Sequence, residues 1–221
     1  MTKGGGLLFV LLAGACVAAG AACGARAARM VRADTPTPSA TPPHAADPGA
    51  TLTPEEEALN RRPLKLPLSR PEVVVEKGAR RLRLYAGGAV VRVRRVVLGP
   101  DPVGGKVRQG DGRTPEGDFQ ICMKNGKSKF YLSLGLTYPN AGDAERGLRE
   151  GLITQAQHRS ITRALAAGRC PPWDTALGGE IFIHGGGTGR DWTLGCVALE
   201  NPEIKELFDT LPAGTPVHIK P

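Results

Sequence analysis

Aromatic side chains are scarce, only 5% of the 221 residues. That scarcity, with no recognition-helix pattern among the basic residues, argues against a protein that reads or stacks on nucleic acid. Lys and Arg outnumber Asp and Glu by 29 to 21, a formal net charge of +8, and this sign suits an anionic polymer or membrane face equally well. Nucleic acid is therefore not expected as a partner. The five cysteines, at 16, 23, 122, 170 and 196, form no CxxC pair and no close cluster with histidine. Neither a disulfide framework nor a metal centre is indicated, and no cofactor is expected. Cys122 and Cys170 are expected to stay free thiols, with pairing in an oxidising envelope the alternative. Long apolar runs are missing too, except at the start of the chain.

That start, residues 1–23, reads as a signal peptide or lipoprotein signal. Lys3 gives a positive beginning, Leu7 to Ala19 is an apolar and small-residue run, and more small residues follow. The run is short for a spanning helix but, extended to Ala22, serves as an uncleaved anchor in the alternative reading. Gly20-Ala21-Ala22-Cys23 resembles a bacterial lipoprotein processing site, with Cys23 as the lipidated residue and Gly20 where leucine is usual. Residues 24–68 are expected to be a disordered tether. Their Pro-, Ala- and Thr-rich core, Ala33 to Pro54, has no apolar period and cannot bury enough surface to offset chain entropy. Glu55 to Asn60 adds at most a short helical turn. Export to the periplasm or cell envelope, with membrane attachment through this N-terminal segment, follows from these features.

The rest, 69–221, reads as one domain, mainly β with a few helices (α+β). Val73 to Val75 make a strand, and Arg81 to Tyr85 and Val90 to Val97 form a hairpin around Gly87-Gly88, which supply the positive φ of a two-residue turn. The period of two puts Arg81, Arg83, Arg92 and Arg94 on one solvent-facing side, either simply solvated or reading an anionic polymer. A loop to Gly117 precedes a strand at Asp118 to Cys122, and 128–138 reads as a strand pair divided at Gly135. Thr154 with Gln157 opens the one convincing interior helix, stopped by Gly168. Asn201, with Pro202 after it, caps a last helix whose apolar stripe is Ile204, Leu207, Phe208 and Leu211. Thr215 to Ile219 closes as a strand.

Between these lies Ile181 to Asn201, IFIHGGGTGRDWTLGCVALEN. Alternation places Ile181 and Ile183 on one face and Phe182 and His184 on the other, delivering His184 to a glycine-rich loop that ends, twelve residues on, at Cys196. A thiol needs a neighbouring base to become a nucleophile at neutral pH, and His184 is the imidazole in reach. The glycines allow close approach by an extended substrate, and the Gly195-Cys196 turn can aim amides at an oxyanion. No Gly-Lys-Ser/Thr follows Gly189, so the run is no phosphate loop. A buried, inert cysteine and a zinc site built with a distant third ligand are the alternatives.

Four stretches carry a resemblance: GDGRTPEGDF at 110–119, SKFYLSLGLTYPN at 128–140, LGGEIFIHG at 177–185 and WTLGCVALEN at 192–201. Together they make the chain similar to the L,D-transpeptidase catalytic domain, or YkuD domain, in its WTxGC-type subgroup. The resemblance implies a mixed β-sandwich with Cys196 as nucleophile, His184 as proton donor and acceptor, Gly195 as backbone oxyanion donor and Thr193 as site support. Trp192, Tyr138, Gly185 and Gly186 are the substrate-binding candidates, with core packing the alternative for the two aromatics. Cys196 would attack a peptidoglycan stem peptide, a terminal D-alanine would leave, and a second stem's amine or an envelope protein would resolve the thioester. Water as acceptor makes the same site a carboxypeptidase or endopeptidase; an inactive wall-binding module is the non-enzymatic alternative. Two positions depart from the usual family pattern: Leu194 stands where many members carry a second histidine, and Ala198 where many carry arginine.

Overall fold

In the computed structural model, residues 51–221 are described. The expected signal segment, Cys23 and the tether up to residue 50 lie outside them. Val73, Val74 and Val75 are all buried in β1 (Glu72–Glu76), flanked by half-buried glutamates. This strand pairs antiparallel with β2 (Arg81–Ala86) and parallel with β8 (Pro216–Lys220). β2 turns through Gly87-Gly88 into β3 (Ala89–Arg95), with Ala86 opposite Ala89 as a two-residue hairpin requires.

The longest strand, β4 (Gly117–Ser128), holds the architecture together. Its first residues pair with β8, and the remainder, with two register shifts, pairs with β5 (Tyr131–Leu136). β6 (Phe182–His184) then pairs antiparallel with β5 and parallel with β7 (Val197–Ala198). The strand order is β3-β2-β1-β8-β4-β5-β6-β7. Just past β3, Val97 bridges Ala198 of β7, so the first and last members of that order are joined. One core runs through the whole arrangement, with Leu82, Leu84, Ile121, Leu134, Ile183 and Val217 among its buried residues. The predicted mainly β, mixed architecture is the one found.

Four helices complete the domain. α1 (Pro54–Arg61) starts at a Thr53 capping box and packs on β3, where Asn60 bonds both the N–H and the carbonyl of Val93. The packed part of the chain thus reaches back well before residue 69. α2 (Ala141–Arg149) was not expected; Asn140 caps it with Asp143, but Gly142 and Gly147 dilute its periodicity. α3 (Gln155–Ala166) follows its predicted Thr154 cap. In α4 (Asn201–Thr210) the cap is Glu200, one residue earlier than expected, because the Asn201 side chain accepts from Gly186 N–H instead.

Three expectations need correction. Residues 128–138 are not a strand pair: Gly135 lies inside β5, where an added Cβ would meet Met123 Cγ at 2.7 Å and Phe182 Cε1 at 3.0 Å. That glycine serves close packing between three strands rather than a turn. The four arginines do not share a face, because Leu82 pairs with Arg94 and Arg83 with Val93, so Arg81 and Arg83 lie opposite Arg92 and Arg94. Helices cover both sides. Arg83 meets Glu56 and Glu76, while Arg92 and Arg94 meet Glu206 at 2.8 and 2.7 Å. Finally, Cys122 and Cys170 form a disulfide with Cα atoms 5.2 Å apart, tying β4 to the segment after α3.

Candidate active site

Parallel pairing of β6 with β7, in the register Ile183 to Val197 and His184 to Ala198, brings the histidine strand alongside the cysteine turn. Cys196 and His184 line one groove of about 680 Å³. The groove is walled by the β4–β5 hairpin, by Trp173 to Phe182, and by Pro100 to Gly112 with the Trp192–Leu194 turn. Among the described residues Cys196 holds the free thiol, and no group of His, Cys, Asp and Glu side chains could hold a metal ion.

The turn that presents Cys196 is pinned from below. Asp191 ion-pairs with Arg80 at 2.6 Å and accepts the N–H of Leu98, whose carbonyl in turn accepts the N–H groups of Trp192 and Thr193. Buried Thr193 donates its hydroxyl hydrogen to the carbonyl of Cys196 at 2.8 Å and accepts from Gly195 N–H at 3.3 Å. These two bonds tie the Gly195–Cys196 turn to Thr193. Gly195 has φ +123°, and a Cβ there would lie 2.6 Å from the Arg113 carbonyl oxygen; only glycine fits. Its N–H is already engaged by Thr193, so as an oxyanion donor it would have to exchange that bond. Buried Lys77 secures the facing loop by donating to Gly104 O, Thr114 O and Glu116.

His184 is 2% exposed. Its Nδ1 lies 2.6 Å from the carbonyl oxygen of Gly185. A carbonyl only accepts, so Nδ1 carries the hydrogen and Nε2 keeps its lone pair. The ring is held between two aromatics: Phe130 stacks on it with centroids 4.5 Å apart, and Trp192 meets it edge-on at 5.4 Å. Burial holds the imidazole below its usual range, against the pull of the Gly185 carbonyl. It is therefore neutral at pH 7 and competent as a base.

The thiol is also neutral at rest. Burial pushes Cys196 up to about 11, opposed by the Phe182 N–H and by Lys106, while Glu180 adds to the rise. Its Sγ accepts from Phe182 N–H and donates to the Glu180 carbonyl, both at 3.4 Å. Glu180 itself sits at φ +54°, a left-handed backbone for a non-glycine residue, of a kind that collects at functional sites. Lys106, 4% exposed, lies in the groove wall and pairs with Asp111 at 2.8 Å. Despite partial burial, that ammonium and three backbone N–H groups hold the Asp111 carboxyl down at about 2.

Of the other sequence candidates, Trp192 lines the groove, with its indole N–H on Gly187 O. Tyr138 does not: it is 0% exposed in the core, its hydroxyl donating to Leu177 O. Gly185 and Gly186 also fall outside the groove lining. A Cβ on Gly185 would strike Asn201 Oδ1 at 2.5 Å and Phe130 O at 2.8 Å, so that glycine packs behind His184 instead of facing substrate. Leu194 projects at the groove mouth, 85% exposed. Sequence reasoning missed Phe130, Lys106, Trp173 and Glu180. Phe130 belongs to the SKFYLSLGLTYPN stretch, but nothing in its spacing links it to His184; strand pairing does.

The model of the YkuD L,D-transpeptidase catalytic domain matches residues 70–219, and the chain belongs to that family. Among solved structures, a variant of the helical cell shape determining protein Pgp2 from Campylobacter jejuni is similar at 21% identity and TM-score 0.47, covering 67% of this chain and 46% of that one. Bd1075 from Bdellovibrio bacteriovorus is similar at 21% identity and TM-score 0.45, covering 69% and 48%. An L,D-transpeptidase from Xylanimonas cellulosilytica is similar at 22% identity and TM-score 0.40, covering 76% and 70%. The chain spans about half the length of the first two. No curated protein matches it.

Proposed function

We propose that the protein is an exported cysteine acyltransferase acting on peptidoglycan stem peptides, with Cys196 as nucleophile and His184 as its base. Family membership over residues 70–219 supports the reaction class. The observation that carries the residue assignment is the shared groove in which a clamped, neutral imidazole with its Nδ1 on Gly185 O accompanies the free thiol.

The neutral resting pair dictates the order of events. Substrate entry displaces the thiol hydrogen from the Glu180 carbonyl. As Sγ attacks the scissile carbonyl, that proton passes to His184 Nε2 and the Phe182 N–H stabilises negative charge growing on sulfur. The tetrahedral oxyanion is held by the Cys196 amide, joined by Gly195 N–H once it exchanges its bond to Thr193. His184 then protonates the departing amine, leaving a thioester on Cys196. An incoming amine, from a second stem or an envelope protein, gives its proton to His184 and attacks the thioester; the C–S bond breaks and sulfur regains the proton. Trp192 orients both His184 and the substrate. Residues 1–23 direct export, and Cys23 carries a lipid.

Incubating the full chain with disaccharide tetrapeptides, alongside Cys196→Ala, tests this. Crosslinked dimers absent from the variant are expected. A tripeptide alone would mean water is the acceptor, and no cysteine-dependent product would overturn the assignment.

A further inference from the structure

Several positive charges of this domain are matched by carboxylates. Arg83, Arg92 and Arg94 meet glutamates on the helices and strands that cover them, Lys77 meets Glu116, and the groove's own Lys106 meets Asp111. Two groove lysines differ. Lys127 and Lys129, at the tip of the β4–β5 hairpin, are exposed. Among the described residues no carboxylate is within ion-pair distance of either. Lys129 Nζ lies 5.1 Å from the centroid of Phe130, the ring that stacks on His184. Ammonium, phenyl and imidazole therefore succeed one another along this wall.

That order has a chemical meaning when His184 serves the scissile nitrogen, so a role for Lys129 in substrate selection rests on the acyl-transfer reading. An imidazole that protonates a leaving amine stands beside that nitrogen. In a leaving group one residue long, the free carboxylate lies two bonds beyond it, within the single-residue reach of about 3.5 Å that an extended chain covers. We infer that Lys129, helped by Lys127, recognises the free C-terminal carboxylate of the residue that leaves. A lysine suits this task, since its flexible stem carries a compact charge to an anion without demanding a fixed approach. An internal peptide bond would place a neutral amide opposite two ammonium groups, and the groove discriminates against it.

Equilibrium binding separates this inference from catalysis. The full chain carrying Cys196→Ala is titrated by calorimetry with a stem tetrapeptide and with its C-terminal carboxamide. The free acid is expected to bind at least about tenfold tighter, the usual scale of a charge-assisted contact. Lys129→Ala on that background removes the gap, Lys129→Arg keeps it, and Lys127→Ala narrows it. Acid and amide binding within twofold of each other, or a gap that survives Lys129→Ala, overturns the inference. Turnover by the unsubstituted chain is measured in parallel. A Lys129-dependent preference without any Cys196-dependent product refutes the acyl-transfer reading alone, whereas equal turnover of acid and amide refutes carboxylate selection alone.

Discussion

Alkylation of Cys196 as a function of pH distinguishes the neutral resting pair from a pre-formed thiolate–imidazolium. Burial moves the thiol from an ordinary 9.0 to about 11. At pH 7 about one molecule in ten thousand is then ionised, against about one in a hundred for an ordinary cysteine. Since the thiolate is the reactive form, iodoacetamide should label Cys196 about 100-fold more slowly than a cysteine in an unstructured peptide. Its rate should keep rising about tenfold per pH unit beyond pH 9. Peptide mapping separates the Cys196 label from any on Cys16 or Cys23, and Cys122 and Cys170 are oxidised. A plateau reached below pH 8, or labelling at pH 7 as fast as the peptide, would contradict a neutral resting thiol, since an ion pair with His184 ionises the thiol early. The same shift has a stability consequence whose sign is fixed. A folded pKa raised above the unfolded one gives stability that is complete below pH 9 and lost as pH rises toward 11.

Three other parts of the site and its frame give further expected outcomes. His184 is held below 6.5 by burial, so kcat/KM should stay level as pH falls to 6.5 and decline only below it; an acid limb centred above 7 would contradict the neutral imidazole. Gly195→Ala forces a Cβ to 2.6 Å from Arg113 O at φ +123°, and should cost about 2 kcal/mol in urea unfolding and at least about 100-fold in rate; an unimpaired variant would mean the turn is not rigid. Replacing both Cys122 and Cys170 by serine opens a loop of 48 residues, which should lower stability by about 4 kcal/mol, read from the denaturant midpoint.

Much of the fold was legible in one dimension because the relevant signals are local. Alternation through Ile181 to His184 and the Thr154 capping box predicted their elements, and the Gly87-Gly88 turn is where expected. Registers were not legible. By period alone Arg92 and Arg94 continue the face of Arg81 and Arg83, until the hairpin pairing puts them on the opposite side. Gly135 reads as a turn until Met123 and Phe182 arrive from neighbouring strands. In the groove, type and spacing singled out His184 and Cys196, which both line it, but Phe130 joins them through pairing of β5 with β6. Tyr138 was misplaced for the converse reason: its motif runs beside the groove while its side chain turns into the core, to Leu177 O. The Cys122–Cys170 pairing depended on a 48-residue separation closing in space, which no spacing rule supplies.

The central claim, that Cys196 carries the acyl group, is tested most directly by intact mass. The full chain is mixed with a stem tetrapeptide, quenched in acid within the first turnovers, and weighed. An added tripeptidyl mass mapped to Cys196 is expected, with one D-alanine released per adduct, and no adduct in Cys196→Ala. Turnover without any adduct on Cys196, or an adduct that persists in Cys196→Ala, would contradict it.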